Sequence, residues 1–428
     1  MTASDPHAAG SGGAEAPAGG ALVRMLILAV VLGVAGAIAA SVFLVVMDEG
    51  QSLLFTHVPA WAGWAGPPWW YVAALLLVGA AIVAGAQRLP GATGPGPLSG
   101  FHFDTPLASV PSILVAALGT LVFGFALGPE APLIILGTAL GAIVVRRGED
   151  QARQLAMLLG GVAAIGAVFG NPFITAFMVL EFAALGLMPA LALVPAFVAL
   201  AAGYLVQIGI WRIPGVGVHS LSVPGLPVYS SIHLGDLVLG LLVAVVAAVF
   251  AIVVRELGLG VERLAVRRRG AALVGVAVVT AAAFAVAVEG FGVAPDEILF
   301  SGSSGMAGLV GETSLVIVVM LLVAKGLAYG AALGGGFRGG PIFPATFLGV
   351  AVGVGAALIV DGTPLSPLAA AGIAATAAAF TKLPATSSLL GALLIAGAGA
   401  AIAPFAIVGG VVGFVARAAV DARRARPG

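Results

Sequence analysis

One acidic residue, Glu130, stands alone in a segment that is otherwise uncharged from residue 105 to residue 145. It lies in Gly128-Pro-Glu-Ala-Pro132, two residues before a proline that can begin a helix. A carboxylate in apolar surroundings is costly unless it has a function. At a helix N-terminus it can occupy an anion site when ionised and vacate that site when protonated or displaced. Glu130 is therefore predicted to be a gate and a proton carrier; the alternative is a simple helix cap.

The segment around Glu130 is repeated later in the chain. Residues 124–141 and 336–353 are identical at nine of eighteen positions with a constant offset of 212, and the same offset carries Pro172 onto Pro384. Paired Gly- and Pro-interrupted apolar segments are typical of the site between the duplicated halves of a transporter. The alternative is a duplicated membrane scaffold without transport.

Each copy of the repeat runs from a Gly-rich loop through proline into an apolar stretch. This pattern predicts one helix that begins near Pro132 and another that begins near Pro344. If both begin inside the membrane, their free N–H groups and positive dipole ends form an anion site that needs no Lys or Arg. Two such ends, one from each half, would hold a small anion and still release it.

Membrane helices must position these segments, as the composition indicates. The 428 residues are 61% hydrophobic and only 8% charged, which excludes an ordinary soluble domain. Eighteen basic and eighteen acidic residues balance, so no net charge points to nucleic acid or to an acidic partner, and the absence of Cys excludes thiolate chemistry. Charge-free runs long enough to cross roughly 30 Å of hydrocarbon cover residues 25–47, 154–180, 182–211 and 383–416.

The chain therefore divides into two membrane halves with short flanking segments. The Arg-rich stretch 255–269 and the basic C-terminus are predicted to be cytoplasmic. The predicted parts are a disordered N-terminal tail (1–20), the first membrane half (21–211), a linker loop (212–232), the second membrane half (233–420) and a basic C-terminal tail (421–428).

Three further charged residues are accessory candidates. Glu181 ends a long charge-free run and is either a buried structural carboxylate or part of a proton path. Lys325 and Arg338 flank the second interrupted segment, where they either draw anions toward it or neutralise a helix end. None of the five His residues has the spacing of a metal site.

Four motifs in this order resemble the CLC family of chloride channels and chloride/proton exchangers, over residues 25–415. Gly128–Pro132 resembles the family's G-[RK]-E-G-P, and Gly339–Pro344 resembles G-G-I-F-x-P. Gly94–Pro97, upstream, resembles G-S-G-I-P. Asn171-Pro172 leading to Glu181 resembles the segment that runs from a proline into the family's acidic pair.

The resemblance implies an all-α, polytopic integral membrane protein with two antiparallel, inverted-topology halves and broken, re-entrant helices. It implies a homodimer with one pore per subunit, without the CBS domains of some members, and Glu130 as the external gate. No cofactor is expected, because the bound species is chloride or another anion as substrate. The residues that would surround the anion, mainly through their backbone, are Gly94, Pro95, Gly96, Pro97, Gly128, Glu130, Ala131, Pro132, Gly340, Ile342 and Phe343.

The sequence departs from the family pattern at four places. Pro95 replaces the central Ser of G-S-G-I-P, as in the nitrate-preferring type, and Pro341 has no N–H, so Ile342 and Phe343 are the expected donors. Phe182 stands where the family has its inner proton-transfer glutamate, which makes proton coupling uncertain. None of the four Tyr residues fits the position of the family's pore Tyr, which predicts a more open inner gate.

These features together predict a multi-pass protein of the bacterial inner membrane. It is expected to transport small monovalent anions, chloride first, as a channel or an anion/proton exchanger gated by Glu130. A nitrate- or fluoride-selective member is the alternative in this class. An intramembrane enzyme is the rival from another class, but Ser301-Gly-Ser-Ser-Gly305 does not match the G-x-S-x-G motif of a serine hydrolase. The expected partners are anions, protons, lipid and a second copy of the chain.

Overall fold

The computed structural model of the protein describes residues 19–91, 93–147, 149–210, 212 and 222–425, and most of these residues are helical. The α-helices are α1 (Gly19–Ser52), α2 (Val58–Trp61), α3 (Trp69–Ala86), α4 (Val110–Leu121), α5 (Glu130–Val144), α6 (Asp150–Phe169), α7 (Pro172–Ala184), α8 (Leu193–Ile210), α9 (Leu234–Arg267), α10 (Arg269–Phe291), α11 (Pro295–Ile298), α12 (Met306–Val310), α13 (Leu315–Gly334), α14 (Ile342–Ile359), α15 (Leu365–Thr381), α16 (Pro384–Leu393) and α17 (Ala403–Ala425). A π-helical turn, Leu53–His57, continues α1, and five 3₁₀ turns are Pro97–Ser99, Leu107–Ser109, Ala190–Ala192, Ala396–Ala398 and Ala400–Ile402.

The predicted flanking segments are only partly within the described residues. Residues 1–18 of the N-terminal tail, much of the linker and residues 426–428 lie outside them. The boundary predicted at residue 20 falls inside α1. Most of the predicted C-terminal tail is helical, because α17 continues to Ala425. Arg423 and Arg424 favour this helix C-terminus, and Arg424 forms an ion pair with Glu256 of α9.

Within the described part of the chain, nine helical segments are long and apolar enough to cross a membrane. Large apolar side chains are exposed along the outer helices, for example Val246 and Val253 on α9. An exposed apolar surface of this kind is suited to lipid. The interior is built largely from Ala, Gly and other small residues, which let helices approach closely. The protein is therefore an integral, multi-pass, all-α membrane protein.

The internal repeat is visible in the helix boundaries. α5 begins at Glu130, and α14 begins 212 residues later, at Ile342. α7 and α16 begin at Pro172 and Pro384 with the same offset. The packing partners also repeat: α5 packs on α6 as α14 packs on α15, and α1 packs on α8 as α9 packs on α17. Two copies of one helical arrangement therefore build the described protein.

One end of the molecule, which we call the basic end, is marked by Arg24, Arg255 and Arg417. Arg24 and the first residues of α6 line one cavity together with Phe101. Phe101 also lines a second cavity, together with Arg255 and Arg417. α5 leads directly into α6, so α5 runs from the centre of the protein toward the basic end.

α14 runs in the opposite direction. α10 starts where α9 ends, near the basic end, and finishes at Phe291, which lies beside Val316 at the start of α13. The C-terminal part of α14 packs against this same start, where Gly355 faces Leu315. Because α5 and α14 are equivalent in the repeat but point toward opposite ends, the two halves have inverted topology, as predicted.

Backbone contacts between helices also repeat. A Cβ added to Gly137 of α5 would overlap the backbone of Gly160 in α6, and a Cβ on Gly349 of α14 would overlap the backbone of Gly372 in α15. Both pairs are related by the offset of 212 residues. The two helix pairs that position the central helices thus pack without intervening side chains, as small residues allow in membrane proteins.

We expect Gly349→Leu to destabilise the protein, because the new side chain would overlap the backbone of α15. Gly275→Leu on α10 is the matched control, since no atom lies within 4 Å of a Cβ built at Gly275. The measurement is the midpoint of thermal unfolding in detergent, followed by size-exclusion chromatography. The midpoint should fall for Gly349→Leu and stay unchanged for Gly275→Leu; equal midpoints would contradict the close contact between α14 and α15.

Candidate functional site

Two glycine segments, one from each half, meet where α5 and α14 begin. Gly128 and Gly340 form an antiparallel β-bridge, in which the Gly128 N–H donates to the Gly340 carbonyl at 2.8 Å and the Gly340 N–H donates to the Gly128 carbonyl at 2.5 Å. One proline follows each glycine, and a helix begins at the next residue. The bridge therefore satisfies backbone groups that no helix can satisfy, and it brings two helix N-termini together.

Glu130, the first residue of α5, is fully buried at this meeting point. Its Oε1 accepts a hydrogen bond from the Phe343 N–H at 2.8 Å, and the Ile342 N–H also interacts with the carboxylate. Among the described residues, Oε2 has no hydrogen-bond partner. The carboxylate of the first half thus lies at the N-terminus of α14 in the second half, where free N–H groups and the helix dipole favour negative charge.

The two bridging glycines leave room for the Glu130 carboxylate. A Cβ built on either Gly128 or Gly340 would overlap Oε2, the far end of the Glu130 side chain. Any side chain at these positions would require Glu130 to move. The glycines therefore form a slot, defined by Gly128, Gly340 and the N-terminus of α14, that fits the carboxylate only while both positions lack a Cβ.

A cavity of about 270 Å³ extends from this slot toward the basic end. Glu130 lines its inner part, and the loop before α4 lines its side. The predicted site residues that line the cavity are Pro95, Gly96, Pro97, Glu130, Ala131 and Pro132, with the accessory candidate Arg338. The predicted residues Gly94, Gly128, Gly340, Ile342 and Phe343 are not in its wall; they contribute backbone contacts immediately behind it.

Arg338 connects the two interrupted segments. Its Nε donates to the Thr93 carbonyl at 2.6 Å, its Nη2 to the Gly94 carbonyl at 2.9 Å and its Nη1 to the Phe337 carbonyl at 2.9 Å. Gly94 adopts the left-handed conformation, with φ +64°, which turns the loop at this contact. Arg338 therefore holds the segment 93–97 against the start of α14 and also places a positive charge in the cavity wall.

Lys325 does not line this cavity. It is fully buried on α13, and its Nζ donates to the carbonyls of Ile298 and Leu299 at 3.3 and 3.2 Å. The ammonium also lies 4.5 Å from the centre of the Phe347 ring. Of the two roles predicted for Lys325, the contacts fit neutralisation of a helix end, because these carbonyls lie at the C-terminal end of α11.

Glu181 caps a helix of the opposite half. Its carboxylate accepts hydrogen bonds from the Ala385 and Thr386 N–H groups, both at 2.7 Å, and from the Thr386 hydroxyl. These donors belong to the first turn of α16, so the carboxylate satisfies free N–H groups and interacts favourably with the helix dipole. The contacts match the structural alternative for Glu181, at the packing contact between α7 and α16.

Several residues of the site carry no recognisable signal in the sequence. Tyr329 is fully buried on α13, and its hydroxyl donates to the Pro341 carbonyl at 2.7 Å, directly before α14. Three cations, Arg255, Lys382 and Arg417, line the cavity although they are far apart in the chain. Only the position of Lys382 two residues before the repeated Pro384 connects any of them to the repeat.

The arrangement as a whole can bind a small anion without a dedicated cation. Helix N-termini and prolines leave N–H groups pointing at the slot, and a carboxylate already occupies it. An inorganic anion that displaced Glu130 would meet the same donors. Binding through backbone dipoles also suits an ion that must leave again. Fold and site together define a membrane protein with two inverted halves and an anion site between them.

Comparison with known proteins identifies the family. The profile of the voltage-gated chloride channel family matches residues 95–417. The chain therefore belongs to the CLC family, whose members are channels or transporters rather than enzymes.

Curated relatives and solved structures agree with this assignment. "Putative ion-transport protein YfeO" of Escherichia coli strain SMS-3-5 / SECEC is 26% identical over 337 residues, which is 76% of this chain and 77% of the relative. The same-named protein of Shigella boydii serotype 4 strain Sb227 is 26% identical over 333 residues, with the same coverage.

Two solved structures share the fold. A slow cyanobacterial Cl⁻/H⁺ antiporter superposes with a TM-score of 0.74 at 17% identity, covering 93% of this chain and 95% of the other. A CLC-type fluoride/proton antiporter superposes with a TM-score of 0.71 at 19% identity, covering 94% and 98%. Both comparisons confirm the predicted CLC-like architecture.

We expect Gly340→Ala to drive the Glu130 carboxylate out of its slot, because the new Cβ would overlap Oε2 while the flexible side chain can rotate away. A structure of the variant should show Glu130 turned into the cavity, and the hydrogen bond to the Phe343 N–H should be lost. Gly96→Ala is the matched control: Gly96 has φ −80°, and its added Cβ would meet only Glu262 and Arg338, at 3.9 and 4.0 Å. Glu130 unmoved in Gly340→Ala would contradict the slot.

Proposed function

We propose that the protein transports small monovalent anions, chloride first, across the membrane, with Glu130 as the gate of the anion path. The observation that carries this proposal is the contact between the buried Glu130 carboxylate and the N-terminus of α14. In that position Glu130 is a tethered anion in a site built for anions. Membership of the CLC family supports the same function.

The gate works by competition for the same N–H groups. While Glu130 is ionised, it accepts the hydrogen bond from the Phe343 N–H and excludes other anions from the slot. Protonation removes its charge, so its attraction to the helix N-terminus weakens and an anion can replace it. Acidification is therefore expected to increase anion flux, and a carboxyl that enters and leaves the slot can carry its proton with it.

Selectivity depends on the loop that contains Pro95. Pro95 lines the cavity but has neither a hydroxyl nor an N–H group to offer an anion, and the carbonyl of Gly94 is already held by Arg338. The loop thus provides fewer donors than a serine would. The second candidate function is transport selective for nitrate or fluoride, and the structural likeness to a fluoride/proton antiporter is a reason to test fluoride.

Proton coupling is proposed to be weak or absent. Phe182 follows Glu181, is buried, and packs against Phe101 and Phe103 with ring centres 5.4 and 5.7 Å apart. An aromatic cluster at this place cannot carry a proton. Glu181 itself is committed to the first turn of α16. A proton that reaches Glu130 from the basic end would therefore need another route.

We further propose that the protein lies in a bacterial inner membrane with its basic end toward the cytoplasm, following the distribution of Arg residues. On this orientation the cavity opens to the cytoplasm and Glu130 closes the path on its outer side, in agreement with the role that the family resemblance implies. A homodimer with one pore per subunit completes the proposal, and the bound anion is the substrate, so no cofactor is invoked.

The test of the transport function is anion efflux from liposomes loaded with chloride, nitrate or fluoride, with proton movement recorded in the same experiment. Chloride efflux should clearly exceed that of protein-free vesicles, and the ratio of the three anions gives the selectivity. Proton movement should be small compared with anion movement. No flux of any anion would reject transport, and proton uptake in a fixed ratio to chloride would reject weak coupling.

The gate predicts a specific change in pH dependence. Wild-type anion flux should rise as the pH falls, whereas Glu130→Gln should give flux that is the same at all pH values, because an amide cannot ionise. Glu149→Gln, at an exposed carboxylate next to the start of α6, is the control and should keep the wild-type profile. If the Glu130→Gln flux still increased on acidification, another group would be the gate.

A further inference from the structure

The mouth of the cavity at the basic end holds an unusual concentration of positive charge. Four cations line the cavity, and Glu130 at its inner end is the only carboxylate among the described lining residues. In a chain with only eighteen Lys and Arg residues, this convergence is not a property of composition. The cations come from separate elements: Arg255 on α9, Arg338 before α14, Lys382 after α15 and Arg417 on α17.

Asp421 holds two of these cations in place. Its carboxylate lies 2.5 Å from Lys382 Nζ and accepts from Arg417 Nε at 3.0 and 3.1 Å. Arg417 also donates from Nη1 to the Ala379 carbonyl at 2.8 Å. Arg255 pairs with Glu256 at 3.0 Å, behind the cavity wall. Lys382 is about half exposed (49%), so part of this group is open to ions that enter the cavity.

The internal repeat shows that the fold does not require these charges. Lys382 ends α15 in the left-handed conformation, with φ +61°, and Gly170 ends α6 in the same conformation, with φ +65°, at the equivalent position. Glycine is the usual residue for this cap. Counted from the 3₁₀ turn that precedes each helix, Arg417 of α17 corresponds to Gln207 of α8, which is uncharged.

The comparison between the halves separates two explanations of the cluster. If Lys382 and Arg417 served only to neutralise the C-terminal end of α15, the equivalent end of α6 would need the same cations, but it is capped by glycine. Because the halves are inverted, the two helix ends face opposite ends of the protein. The cations thus distinguish one mouth of the anion path from the other.

We propose that Arg255, Lys382 and Arg417 form a second anion-binding site, a capture site for small inorganic anions at the basic end, with Asp421 as its built-in competitor. It is separate from the slot at Glu130, which binds through backbone N–H groups. Positive charge in a cavity with low-dielectric walls raises the local anion concentration. The inference rests on the proposed anion transport and adds an entry step to it.

The capture site works through partial neutralisation. Asp421 occupies the two cations in the absence of an anion, so an entering anion must compete with its carboxylate for Lys382 and Arg417. Without Asp421, three uncompensated cations would hold the anion too firmly for rapid passage. Binding that is strong enough to concentrate the ion and weak enough to release it is what conduction requires.

The experiment measures the initial rate of chloride influx against chloride concentration, at constant ionic strength maintained with gluconate. Lys382→Gln should raise the half-saturating chloride concentration about fivefold, as expected for loss of one nearby charge, with the maximal rate unchanged. Asp421→Asn should lower it, because the competitor is removed. Arg263→Gln, an exposed cation of α9 outside the cavity wall, is the control and should match the wild type.

The opposite signs of the two variants make the outcome decisive. A purely structural ion pair predicts that Lys382→Gln and Asp421→Asn both lower thermal stability and that neither increases chloride affinity; that result would overturn the capture site. A wild type without chloride flux would reject the transport proposal instead. In that case, chloride titration of the detergent-solubilised variants by calorimetry still tests the site, and equal affinity of all variants would reject it.

Discussion

A bilayer offers no hydrogen-bond partners to the backbone, and the crossing at Gly128 and Gly340 is where this protein must satisfy that constraint without a helix. The two glycines bind each other, the prolines after them have no N–H group, and each helix begins at once. The N–H groups left over at the two helix starts are then the only strong donors at the centre. An anion site follows from the way in which the chain is interrupted.

The geometry of that site depends on contacts between the two halves. Arg338 of the second half holds the loop at Gly94 in the first half, and Glu181 of the first half caps α16 in the second. Both contacts use a charged side chain to satisfy backbone groups that would otherwise be unpaired. Because Glu130 reaches across the same interface to Phe343, a small shift between the halves would change its distance from the donor. The halves must be fixed before the gate can work.

Local features of the sequence predicted the centre of the protein well. The repeat and its prolines indicated helices beginning near residues 132 and 344, and they begin two residues earlier in both cases, at Glu130 and Ile342. The isolation of Glu130 in an uncharged segment correctly indicated a buried carboxylate at a helix start. These signals are contained in short stretches of chain, where backbone chemistry decides the outcome.

Features that depend on long-range packing could not be predicted in this way. Arg255, Lys382 and Arg417 are separated by more than a hundred residues in part, and only the folded chain brings them to one cavity. Lys325 and Arg338 are equally close to the second interrupted segment in sequence, yet one faces α11 and the other the cavity. Side-chain direction on a packed helix separates them, and the sequence pattern carries no information on it.

The duplication explains why charge is so informative in this chain. Two copies of one arrangement supply the helices, the bridge and both N-termini, so equivalent positions should have similar residues wherever the fold alone decides. The charged residues at the site break this rule. The pairs related by the offset of 212 residues are Glu130 and Ile342, Ala126 and Arg338, Gly170 and Lys382, and Glu181 and Leu393. In each pair only one half has the charge. An inverted repeat is nearly symmetric about the membrane plane, and a path with a gate on one side and an entry on the other cannot be. The departures from the repeat are therefore where transport acquires its direction.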